Sequence, residues 1–146
     1  MVNTRFNLRV YGILVNDRNE ILLSEECRDG FPFTKFPGGG LEFGESLQAG
    51  LIREFQEEIG IEIHVGECLY HNDFVQLSAF NPNEQLFVFY YRVNYASCDA
   101  IVTSEKPITH DQDYELRRWV PLNELTEECV TFPIDKHFVR QLNMLL

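Results

Sequence analysis

Leu47, Leu51, Phe55 and Ile59 recur every four residues and stop at Gly60. Apolar residues at that spacing line one face of an α-helix, and glycine suits the left-handed residue that often ends one. The spacing predicts an amphipathic helix over residues 46–59, laid on a core along that stripe. Glu54, Glu57 and Glu58 stand on the same helix at i, i+3 and i+4, so three carboxylates crowd one face. Like charges at these spacings cost a few tenths of a kcal/mol per pair, roughly, and negative charge near a helix C-terminus opposes its dipole. A solvated acidic face is the ordinary reading of such a triple. The alternative is a hard divalent cation, magnesium or manganese rather than zinc, because the donors are all oxygen.

Other segments are coarser. Apolar and β-branched residues run over 5–15, meet the turn signal Asn16-Asp17-Arg18-Asn19, and resume at Ile21-Leu22-Leu23, which predicts a β-hairpin. Residues 31–37 are expected to be extended, since each proline biases the residue before it away from helix. Gly38-Gly39-Gly40 is expected to form a flexible loop that allows close approach. Residues 61–65 alternate as a strand does, and residues 85–93 are apolar at nearly every position, as in a strand covered on both faces. Residues 114–120 read as another strand, 121–125 as a short turn or helix, and 133–146 as a final helix with Phe138, Leu142 and Leu145 near one face. The loop over residues 78–84 is expected to rim a pocket.

At 146 residues, 45% hydrophobic and 13% aromatic, the chain can bury one sizeable core, so residues 1–146 are expected to form a single domain. Nothing approaches the ~20 apolar residues of a membrane span, and the first residues lack a secretory signal's apolar centre, so a cytoplasmic protein is expected. Cys27, Cys68, Cys98 and Cys129 are scattered without a C-x-x-C pair and read as free thiols. A formal charge of −11 argues against a nucleic acid polymer as partner. It would repel a small anion too, unless bound cations reverse the local sign.

The stretch GGLEFGESLQAGLIREFQEEIGI, residues 39–61, resembles the Nudix box, G-x5-E-x7-R-E-U-x-E-E-x-G-U with U bulky and apolar. Gly39, Glu45, Arg53, Glu54, Phe55, Glu57, Glu58, Gly60 and Ile61 fill every defined position. Phe55 departs mildly, since aliphatic residues are more usual there. The resemblance implies an α/β (α+β) fold, an α/β/α sandwich with a mixed β-sheet between helices. It also implies magnesium-dependent hydrolysis of a phosphoanhydride, with manganese a substitute. Such hydrolysis needs an in-line water and neutralised phosphate oxygens, which divalent ions provide. By the same resemblance Glu54, Glu57 and Glu58 are metal ligands, the carbonyl of Gly38 adds another, and Glu45 pairs with Arg53 to hold the loop against the helix. A further acid or base is expected from Asp113 or Glu115, with Asp111 behind them. Residues 116–122 resemble the family's late Trp-bearing strand.

Specificity in such a family lies outside the box. The expected partner is a small nucleotide or nucleotide derivative, and a homodimer agrees with the resemblance. Residues 74–78 lack the proline of ADP-ribose enzymes and the tyrosine of dinucleoside polyphosphate enzymes, which favours a nucleoside triphosphate. A pyrophosphatase for ADP-ribose or nucleotide sugars is the alternative, and a non-catalytic nucleotide sensor is the alternative of another class. Phe33, Phe74 and Phe80 are aromatics that could stack on a base, although core packing is the commoner use of such rings. Phe31 shares that reading. His64 and His110 have no visible acid–base partner.

Overall fold

The computed structural model describes residues 3–107 and 109–146. They form two compact units, each a sheet with one α-helix. The first unit comprises the described residues through Gly12 and Gly38–Asn94; the second comprises Ile13–Pro37 and the described part of Tyr95–Leu146. Among the described residues no helix is long and apolar enough to cross a membrane.

The four-stranded sheet has the order β4 (Gly38–Gly40), β1 (Arg5–Leu14), β6 (Glu84–Asn94) and β5 (His64–His71), and belongs to the first unit except for Ile13 and Leu14 at the end of β1. β6 lies inside the sheet, as its apolar run implies, and pairs antiparallel with β5. The triglycine is not a flexible loop: it is a short strand, with Gly38 opposite Tyr11 and Gly40 opposite Arg9. A Cβ on Gly38 would sit 2.0 Å from the Val10 carbonyl oxygen, so the glycines serve the expected close approach inside a ladder. The strand expected over residues 61–65 begins only at His64; Ile61 and Ile63 are buried before it.

Helix α1, Leu47–Glu58, fulfils the apolar stripe. Ser46 caps it, its Oγ accepting the Ala49 N–H at 3.1 Å. At the other end the Gly60 N–H donates to the carbonyls of Phe55 and Gln56, and Gly60 adopts φ 76°, where a side chain would be strained. Leu51 and Phe55 are fully buried.

In the second unit β2 (Glu20–Arg28) lies between β3 (Phe31–Lys35) and β7 (Tyr114–Pro121), all antiparallel. The expected hairpin of β1 with β2 is corrected. The turn exists, with the Asn16 N–H donating to Glu20 O at 2.9 Å, but only Val15 and Ile21 bridge before the strands enter different sheets. The tight hairpin is β2–β3, where Asp29 (φ 51°) and Gly30 (φ 79°) form a two-residue turn with both torsions positive. Helix α2, Pro133–Leu145, opens on a proline, which suits a first helical turn, and buries Ile134, Phe138 and Leu142. Phe138 meets Phe36 edge-on at 5.4 Å. A short 3-10 helix at Leu122–Glu124 follows β7 as expected. The α+β class thus holds, with two sheets and two α-helices among the described residues.

Candidate active site

The box residues lie in the first unit, where Arg53 is the hub. Its Nε donates to Glu45 Oε2 at 3.0 Å, and its Nη2 donates to Glu45 Oε1 at 2.6 Å and to the Gly40 carbonyl at 3.0 Å. Its Nη1 reaches Glu54 Oε1 at 3.1 Å and Glu57 Oε2 at 3.2 Å. Glu45 also accepts the Glu42 N–H at 2.8 Å, which closes the loop over residues 42–45 on itself. One guanidinium therefore ties β4, the loop and α1 together. The paired Arg–carboxylate geometry is the strong form of such a contact. The Arg53 hydrogen bonds, helped by the Glu42 amide, hold the Glu45 carboxyl down at about 2, and Glu45 in turn raises the Arg53 pKa.

Close packing makes this arrangement fit. A Cβ on Gly39 would lie 2.6 Å from the Glu54 carboxylate, so that bare strand residue gives Glu54 its place. A Cβ on Gly50 would lie 2.6 Å from Leu41 Cδ1 and 2.9 Å from Glu45 Oε1. Gly50 thus admits the loop to the helix surface. Gly12 does the same for Phe55: a Cβ there would stand 2.5 Å from the ring.

The three helix carboxylates differ in setting. Glu54 is buried, Glu58 half-buried, and the Glu57 side chain 58% exposed. Among the described residues no three histidines, cysteines or acidic residues already converge to cage an ion; Glu54 and Glu57 are turned to Arg53 instead. The donor set is nonetheless all oxygen, the chemistry that magnesium or manganese takes.

Other expected residues are placed differently. Gly38 stands in β4 opposite Tyr11. Asp113 and Glu115 belong to the second unit, where Asp113 accepts the Asp29 N–H at 2.9 Å and Glu115 pairs with Arg117. Asp111 accepts the Thr109 hydroxyl. Phe33 is corrected as a stacking residue: it is 5% exposed and packs with Phe31 and Phe132. Phe74 and Phe80, in the first unit, keep exposed faces at 36% and 45%. His64 is exposed, and His110 lies beside Tyr114. The four cysteines are free thiols.

Sequence reasoning missed the Gly40 carbonyl, Gly12 and Gly50. Gly50 and Gly12 each left a signal, since a glycine inside a helix costs about 1 kcal/mol against alanine and one inside a strand pattern marks a close approach.

A sequence model described as the NUDIX domain matches residues 5–142, spanning residues of both units. The chain is similar to the 8-oxo-dGTP diphosphatase of Escherichia coli K12, 42% identical over 52 residues, which are 34% of this chain and 40% of that protein. It is similar to the RNA pyrophosphohydrolase of Roseobacter denitrificans at 25% identity over 136 residues, 84% of this chain and 81% of that one. Its fold resembles the crystal structure of a MutT protein from Methanosarcina mazei Go1, with TM-score 0.71, 19% identity, and 99% of this chain and 97% of that chain covered.

Proposed function

The chain belongs to the NUDIX domain family, and from that premise we propose that it hydrolyses a phosphoanhydride bond in a nucleoside diphosphate linked to another group. Nucleoside and deoxynucleoside triphosphates are the favoured substrates, and residues 1–146 act as one catalytic domain. The observation that carries this reading is the Arg53 latch, which fixes Gly40 and Glu45 beside the helix face bearing Glu54, Glu57 and Glu58. The similarity to proteins named as an 8-oxo-dGTP diphosphatase and an RNA pyrophosphohydrolase supports the reaction class.

In this reading Glu54, Glu57 and Glu58 hold a divalent cation, with the Gly38 carbonyl as a further donor. Magnesium, when bound, supplies the positive charge that the diphosphate oxygens need, and it answers the repulsion expected from a protein of net charge −11. Glu45 and Arg53 are positioning residues: they keep the loop and the helix in register, so that the carboxylates are presented together. A carboxylate near the attacking water accepts its proton, with Glu57 and Glu58 the first-unit groups to test. Phe74 and Phe80, both exposed, are the aromatics we assign to stack on a base.

The test is a panel of ribo- and deoxyribonucleoside triphosphates, ADP-ribose and nucleotide sugars, with and without magnesium, with products identified. Magnesium-dependent release of pyrophosphate from triphosphates is expected. Glu57→Gln and Glu58→Gln should each remove most turnover while leaving the circular dichroism spectrum unchanged. An active double variant would overturn the site, and cleavage confined to ADP-ribose or nucleotide sugars would overturn the substrate class.

A further inference from the structure

Strand β2 carries Ser24, Glu25, Glu26 and Cys27 in succession, all buried, in the middle of the three-stranded sheet. Glu26 faces one side, where burial pushes its carboxyl up but Lys35, Ser24 and Arg117 together hold it below the ordinary value. Glu25 faces the other side, opposite Thr34 on β3 and Leu116 on β7. There it accepts the Thr34 hydroxyl at 2.6 Å and the Arg118 Nε at 2.5 Å, with the Lys106 Nζ at 3.4 Å. These groups line a pocket of about 590 Å³ made wholly of second-unit residues, none of them in the box.

Glu25 is 3% exposed and cannot itself meet a ligand well. What it does is fix Arg118. Bonded through Nε, the guanidinium has its far edge, Nη1 and Nη2, without a hydrogen bond to any described residue, and its side chain is 31% exposed. An arginine so anchored presents two parallel N–H donors, the edge that pairs bidentately with a carboxylate or phosphate. Lys106 adds a second cation, so two positive charges stand against one buried carboxylate in a protein that is otherwise strongly acidic. Glu128 also lines the pocket but is exposed. Pro32, Phe33 and Tyr114 supply apolar wall, and the volume lies in the range that takes a small organic molecule.

We propose that the second unit carries an oxyanion-binding pocket, in which Arg118 and Lys106 receive the phosphate or carboxylate group of a small molecule. The site is independent of the hydrolytic reading.

Calorimetric titration of the whole chain with inorganic phosphate, inorganic pyrophosphate and succinate, at constant ionic strength and without added divalent cations, tests this. Saturable binding of at least one is expected, and a preference between the phosphates and succinate identifies the oxyanion. Arg118→Lys, which keeps a cation for Glu25 but removes the fork, should weaken binding about tenfold or more. Lys106→Ala, at a half-exposed side chain, should weaken it severalfold without touching the Arg118–Glu25 pair. Glu57→Gln should leave it unchanged. Absence of saturable binding by the unaltered protein, affinity that survives both pocket substitutions, or loss of binding in Glu57→Gln would each overturn the proposal.

Discussion

Replacing Gly50 by alanine sets two effects of known size against each other. In an exposed helix interior the change would stabilise by about 1 kcal/mol, because alanine loses less backbone entropy. Here the added Cβ would stand 2.6 Å from Leu41 Cδ1 and 2.9 Å from Glu45 Oε1. The leucine methyl is the end of a flexible side chain and can move aside. Glu45 cannot move as cheaply, since two Arg53 hydrogen bonds and the Glu42 amide hold it. Overpacking of this kind costs about 1–3 kcal/mol, so the net effect is destabilisation by about 0–2 kcal/mol rather than the gain that helix propensity alone gives. The displaced atom belongs to the latch, so turnover should fall more than stability does. Urea denaturation reads the stability and a turnover assay the activity. Carbon-13 NMR titration of the Glu45 carboxyl reads the disturbance of the latch, through movement of its pKa from about 2 toward the ordinary 4.5. A Gly50→Ala protein about 1 kcal/mol more stable, with Glu45 still titrating near 2, would refute the steric reasoning.

Two further outcomes follow from the same contacts. Because the folded Glu45 carboxyl is depressed, its contribution to stability is present in full above pH 4.5 and is lost as pH falls toward 2; urea midpoints across that window should fall less steeply in Glu45→Gln than in the unaltered chain. Gly12→Ala drives a Cβ to 2.5 Å from the Phe55 ring and should cost about 1–3 kcal/mol. Combined with Phe55→Leu it should cost at least about 0.5 kcal/mol less than the sum of the single changes, and additivity would show that the two positions do not share the space.

The residues that were legible are those whose partners lie close in sequence. The stripe of Leu47, Leu51, Phe55 and Ile59 is a local pattern, and α1 follows it to within a residue of each end. The Asn16–Asn19 turn was also read correctly as a turn, yet the hairpin inferred from it was not, because β1 and β2 join different sheets after one bridge. Which sheet a strand joins depends on pairings with β6 and β7, far along the chain, and no local signal carries that. Asp29-Gly30, by contrast, is a strong hairpin signal that lay in plain view. The buried charges at Glu25 and Glu26 could not be foreseen, since a carboxylate in a strand reads as solvent-facing until its cations are found on β3 and β7.

At the site the same division holds. The pairing of Glu45 with Arg53 came from the resemblance rather than from spacing, because Glu45 precedes the helix and shares no helical face with Arg53. Phe55 shows what a resemblance leaves out. Read against the box it is a departure, a ring where an aliphatic residue is usual. In the structure the ring is fully buried and occupies the place where a side chain on Gly12 would be. The unusual phenylalanine and the distant glycine are therefore one packing feature divided between β1 and α1. Either residue alone, in a single sequence, looks like a defect; together they fix the stripe of α1, and with it the direction in which Glu54, Glu57 and Glu58 are presented.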